Sequence, residues 1–191
     1  MIFLEYVPVV DEEDQYLFDM RRELVHDEKN PLWHRSVTVL TFRTENRDEI
    51  LIQRRSRDKE RKPGLLEFAG GHVLSGEEYR EAAIREYAEE LLDRRAELTS
   101  IDMEDFRQLE KIDKKSPDNY EKVSVYSTVY DGPLDLSDEV MEAEYVSVQE
   151  LAQDIEQNPE NYTNSTLESF RAYNEAMPTV NWEQIRSETK F

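Results

Sequence analysis

The alternation of apolar and polar positions divides this chain into strands and helices before any chemistry is considered. Ile2 to Val10 and Gln15 to Phe18 read as short strands, separated by the acidic turn Asp11 to Asp14. Arg35 to Arg43 and Glu49 to Arg55 are rich in β-branched residues, and the polar stretch Thr44 to Asp48 between them predicts a hairpin. Pro63-Gly64 punctuates the chain before an apolar run, Leu65 to Ala69, that ends in Gly70-Gly71. The period then changes: Ala83, Ile84, Tyr87 and Leu91 recur at helical spacing. Ser75-Gly-Glu-Glu78 reads as a capping box, so the pattern predicts a helix from there past Leu91. Strands follow near Phe106 to Ile112, Tyr120 to Tyr130 and Ala143 to Val146, with a turn at Asp131 to Pro133. Ser147 and Glu150 form a second capping box, opening a helix to about Ile155; further helices are predicted near Thr166 to Ala176 and from Trp182. There is no internal repeat, and this order of elements predicts one mixed α/β domain over residues 1–191.

Composition narrows the function classes. With 38% hydrophobic and 10% aromatic residues the chain should fold, and 191 residues suit a single core. It has no cysteine, which excludes a disulfide framework, a thiolate metal site and a cysteine nucleophile, and points to a reducing compartment. The apolar N-terminus lacks the basic flank and cleavage site of a signal peptide, and no segment approaches transmembrane length, so a cytoplasmic protein without a membrane partner is expected. The formal charge of −20, from 44 acidic against 24 basic residues, argues against a nucleic acid polymer as partner. A small phosphorylated ligand remains compatible, because salt screens the net charge within about 8 Å, and Gln53 to Lys62 is locally basic.

The candidate chemistry lies on the central helix. Glu86, Glu89 and Glu90 fall within about one helical turn. At about 100° per residue, Glu86 and Glu90 lie at the margin of the apolar stripe, with Glu89 further round. Such crowding destabilises a helix unless something positive compensates, and Mg²⁺ suits the task because it combines one or two carboxylates with waters and phosphate oxygens. Alone, the cluster could equally be a solvated face. Its surroundings read G-x5-E-x7-R-E-x-x-E-E, formed by Gly71, Glu77, Arg85, Glu86, Glu89 and Glu90.

This pattern resembles the signature of the Nudix hydrolases. The resemblance implies an α/β/α sandwich with a mixed sheet, carrying the motif on a loop, helix and loop. It implies that Glu86, Glu89 and Glu90 bind one or more Mg²⁺ ions, with Mn²⁺ as a substitute, that the Gly71 carbonyl adds a ligand, and that Glu77 and Arg85 brace the loop. The reaction implied is attack of water on a diphosphate linked to another moiety, in a nucleoside diphosphate derivative or a related organic diphosphate. Glu86 is the first choice as general base, with Glu89, Glu121 and Glu139 as rivals. Tyr87, Leu92 and Asp93 depart from the pattern; loss of the usual glycine at Leu92 predicts a helix continuing into Leu91 to Leu98.

The resemblance covers roughly residues 8 to 155, leaving 156–191 as a helical extension, and is nearest to the isopentenyl diphosphate isomerase-like branch. By that resemblance Arg55 and Lys59 hold the diphosphate, and the basic cluster at a strand end supports it independently; His72 is counted with them as a substrate-binding residue. His26, His34 and His72 fall where the isomerases place metal-binding histidines, with Glu121 near one of their acidic ligands and Asn119 replacing another; whether they bind metal stays open. Gly70 stands where the isomerases have a cysteine, and the carboxylates are intact, so hydrolysis is expected over isomerisation. A diphosphate-binding module without turnover is the alternative. Oligomeric state is open.

Overall fold

The computed structural model describes residues 4–27, 29–59, 61–92 and 105–177. Two β-branched runs form the centre of the sheet. β3 (Trp33–Phe42) and β8 (Asn119–Val129) lie side by side in parallel, in register from Trp33↔Tyr120 to Phe42↔Val129. Since β8 takes one whole edge of β3, the other edge is shared in turn. β1 (Tyr6–Val10) meets it at His34, β6 (Ala69–His72) at Ser36 to Val39, and β4 (Glu49–Arg55) at Phe42, all antiparallel. The hairpin predicted at Thr44 to Asp48 therefore opens after a single pair, Phe42↔Ile50, because β6 already holds the edge. Beyond it β4 runs antiparallel with β9 (Val140–Ser147) and the short β5 (Leu66–Glu67). β2 (Tyr16–Arg21) pairs with β1, and β7 (Arg107–Ser116) with β8, giving a nine-stranded mixed sheet among the described residues.

Alternation along the strands sends their side chains to two cores. Val37, Val39, Ala69 and Tyr126 meet α2 (Tyr79–Leu91), while Leu40, Phe42, Val123 and Val125 meet α3 (Val148–Gln157) and α4 (Asn164–Ala176). The result is the expected α/β/α sandwich.

The boundaries of α2 differ from the expectation at both ends. Ser75 is not its cap: the Ser75 hydroxyl donates to Asp19 at 2.6 Å and its N–H to the Tyr6 carbonyl at 2.8 Å. The helix starts at Tyr79, with Glu78 as N-cap in a reciprocal box with Glu81. It stops at Leu91, where Leu92 leaves helical geometry at φ −126°, because the N–H groups of Asp135 and Ser137 take the carbonyls of Leu91 and Glu90. The continuation expected over residues 93–98 and the helix expected from Trp182 lie outside the described residues, as does the start of the first strand at Ile2. A four-residue helix, α1 (Arg22–Val25), follows β2 without a clear sequence signal. The box at Ser147 and Glu150 caps α3 as expected.

Candidate active site and histidine cluster

The site is built where β6 runs under α2. β6 lies so close to β3 that a Cβ on Gly70 would stand 2.2 Å from the Val37 carbonyl oxygen, and one on Gly71 would stand 2.5 Å from the Glu86 carboxylate. Two glycines in succession are thus what lets backbone approach the acids of α2.

Arg85 organises those acids. Its guanidinium donates to both oxygens of Glu77 (2.8 and 2.9 Å), to Glu86 (2.8 Å), to Glu89 (3.3 Å) and to the His72 carbonyl (2.8 Å). The Glu77 and Arg85 pairing joins the loop to the helix, and Glu77 also accepts the Leu74 N–H at 2.9 Å. Glu90 lies deeper, 4% exposed, accepting from Gln53 Nε2 at 2.8 Å and from the Gly70 N–H at 3.2 Å. Glu86 and Glu89 side chains are 14% and 36% exposed, so the predicted order around the helix holds.

Arg85 bonds three carboxylates here, and the fourth, Glu90, is held only by neutral donors. Burial pushes the Glu86 carboxyl up to about 7 against the opposing pull of Arg85. Burial, with the charges of Glu67 and Glu86, raises Glu90 well above the ordinary carboxylate range although Gln53 and Gly70 oppose it. The cluster carries more negative charge than the protein compensates, and its free donors are oxygens. A hard divalent cation fits that donor set, with Glu86, Glu89, Glu90 and the Gly71 backbone available to hold it.

The expected phosphate ligands are already engaged. Arg55 donates to both Glu67 oxygens, at 2.7 and 2.8 Å, and Lys59 pairs with Glu139. Glu67 itself escaped the sequence reading. It pairs in register with Gln53, which also holds Glu90, and burial raises its carboxyl despite Arg55. Its signal was weak: alternation along β5 and β6 puts it on the same side as Ala69, facing α2.

The chain's three histidines converge. One ring nitrogen of each lies within 4.8 Å of the others, and His26 Nε2 is 3.1 Å from His72 Nε2. His34 Nδ1 bonds the Leu32 carbonyl at 2.8 Å; its buried Nε2 and His26 Nδ1 have no hydrogen bond among the described residues. Burial lowers the pKa of all three, that of His26 to about 4, which keeps the rings neutral with lone pairs available. Glu121 comes within 3.9 Å of His34 and bonds Lys114 at 2.6 Å; burial opposes its ionisation, but the charge and hydrogen bond of Lys114 hold it down at about 2. These groups fit a transition metal. His72 thus belongs by its ring to this cluster and by its carbonyl to Arg85.

The sequence profile of the NUDIX domain matches residues 32–165. An uncharacterized Nudix hydrolase of Pseudomonas aeruginosa is 30% identical over 174 residues, covering 90% of this chain and 95% of that protein. A match to another, from Yersinia pestis, is 37% identical but covers only 46% of this chain and 47% of that protein. Among solved structures, a Deinococcus radiodurans protein superposes with a TM-score of 0.67 at 23% identity, over 88% of this chain and 99% of its own. A Francisella tularensis bifunctional NMN adenylyltransferase/ADP ribose pyrophosphatase, complexed with AMP and a manganese ion, aligns with a TM-score of 0.56 at 18% identity. That alignment covers 74% of this chain and 41% of the other. No helix among the described residues is long and apolar enough to cross a membrane.

Proposed function

Because the chain belongs to the Nudix family, we propose that it is a Mg²⁺-dependent hydrolase of a diphosphate linkage in a nucleoside diphosphate derivative or related organic diphosphate. The observation that carries this reading is the uncompensated carboxylate cluster, pressed against the Gly71 backbone and tied by a single arginine. Glu86, Glu89, Glu90 and the Gly71 carbonyl would hold Mg²⁺ or Mn²⁺, which when bound neutralises phosphate charge and lowers the pKa of water. Arg85 and Glu77 position the loop and the acids. Glu86 takes the proton from the attacking water: it faces Gly71, whereas Glu121 and Glu139 are held by lysines and Glu89 is the most exposed of the three helix acids. Arg55, Lys59 and His72 would hold the diphosphate, the first two on leaving Glu67 and Glu139. The ADP ribose pyrophosphatase named above shares the fold and supports the choice of a nucleoside diphosphate derivative as first substrate class.

The test is product release from a panel of organic diphosphates with Mg²⁺. Glu90→Gln is expected to lower kcat by orders of magnitude with the melting temperature retained. An unchanged rate contradicts the metal assignment. Tight diphosphate binding without turnover, unaffected by Glu86→Gln, favours the non-catalytic module instead.

The histidine cluster favours a second metal site. His26, His34, His72 and Glu121 would hold zinc, manganese or iron. Elemental analysis of protein purified without added metal should find about one equivalent, lost in His34→Ala; its absence from the unaltered protein removes this site.

A further inference from the structure

The buried run of β4, Ile50 to Ile52, is followed by a polar side chain that is buried just as deeply. Gln53 is 2% exposed and sits where β4 is paired on both edges, with Glu67 of β5 and with Ala143 of β9. From that fixed position its Nε2 donates to Glu90 Oε2 at 2.8 Å, while its own Oε1 is buried without a hydrogen bond among the described residues. A buried acceptor left without a donor is destabilising, so packing alone would favour an apolar side chain here. What the position gains from glutamine is the donor end.

That donor acts on Glu90. The Gly70 N–H of β6 bonds the same Oε2 at 3.2 Å, so two donors from two strands converge on one oxygen, and neither engages Oε1. Glu77, Glu86 and Glu89 are held differently, each by the Arg85 guanidinium. An amide and a backbone N–H fix the direction of a carboxylate without placing a full positive charge beside it. They therefore orient a metal ligand without competing with the metal for it.

We infer that Gln53 is a positioning residue: together with the Gly70 N–H it holds Glu90 by Oε2 and leaves Oε1 for the divalent cation. This rests on the carboxylate metal site proposed above, and it extends that site to a strand that lies outside the motif from Gly71 to Glu90.

The experiment follows, by electron paramagnetic resonance, the Mn²⁺ that metal-free protein binds and that Mg²⁺ displaces. Displacement by Mg²⁺ confines the reading to the oxygen-rich site, since imidazoles suit transition metals and Mg²⁺ prefers oxygen ligands. Gln53→Met, which keeps the length of the side chain and removes its donor, should weaken this binding about 10- to 100-fold while the metal-free melting temperature is retained. Gln53→Glu, which puts an acceptor where the donor was, should weaken it at least as far. Glu90→Asp draws the carboxylate away from Gln53 but keeps a ligand, so Gln53→Met added to Glu90→Asp should change the affinity less than about twofold. Binding as tight as wild type in Gln53→Met or Gln53→Glu, or an equal loss from Gln53→Met in both backgrounds, overturns the inference alone. A wild-type protein that binds no Mg²⁺-displaceable Mn²⁺ overturns the metal reading and this inference with it.

Discussion

Asp14 ends the acidic turn before β2, in a left-handed conformation with φ 63°, and from there bonds Arg35 Nε at 2.7 Å, the Tyr79 hydroxyl at 3.0 Å and Lys111 Nζ at 2.9 Å. Burial would raise its carboxyl, but the bonds to Lys111 and Arg35 hold it below the ordinary value of 3.8. A depressed folded-state value means that this stabilisation is complete above pH about 4 and is lost as pH falls through the folded value. Asp14→Asn tolerates the left-handed backbone but removes the charge. It should cost about 1–3 kcal/mol at pH 7, with the difference from wild type shrinking below pH 4, as read by urea unfolding at both pH values. An equal loss at both would show that the charge is irrelevant. Residues of this kind mark the limit of sequence reading. Glu86, Glu89 and Glu90 were legible because one helix spaces them, whereas Glu67 joins the site from a separate strand and carries no local signal.

Element α2 combines what its sequence specifies with what its neighbours impose. Its buried face of Ala83, Ile84, Tyr87 and Leu91 follows from periodicity, and burial of Glu90 beside that stripe follows from the same geometry. Tyr87 packs edge-on to Phe106 and Tyr130 with a buried hydroxyl that has no hydrogen-bond partner among the described residues, and burial raises its pKa. Tyr87→Phe should therefore leave stability unchanged or raise it by up to about 1 kcal/mol, whereas Tyr87→Ala should cost about 3–5 kcal/mol. Thermal melts of the two variants check this, and a clear loss in Tyr87→Phe would mean that the hydroxyl is bonded. The ends of α2 were less legible. Overlapping Ser75-x-x-Glu78 and Glu78-x-x-Glu81 patterns both resemble caps, and only the contacts of Ser75 with Asp19 and Tyr6 exclude the first. The stop at Leu91 depends on two amides from a loop more than 40 residues later.

For the whole molecule the dominant fact is a formal charge of −20. Self-repulsion at that charge should make the melting temperature rise with NaCl as screening shortens toward about 8 Å near physiological ionic strength. At matched ionic strength Mg²⁺ should add a further increase that Glu90→Gln reduces, since an ion bound by the native state alone stabilises by mass action. Equal effects of NaCl and MgCl₂ in both proteins would leave screening as the whole explanation. The sequence by itself determined the strand and helix succession, the motif from Gly71 to Glu90 and the acidity that demands a counter-ion, because these depend on periodicity and spacing within about 20 residues. Only the tertiary structure decided that β6 enters the edge of β3 between β1 and β4 and that three histidines from separate segments meet. Such contacts join residues far apart in the chain, and whether a polar group finds a partner is fixed by packing, which local pattern does not encode.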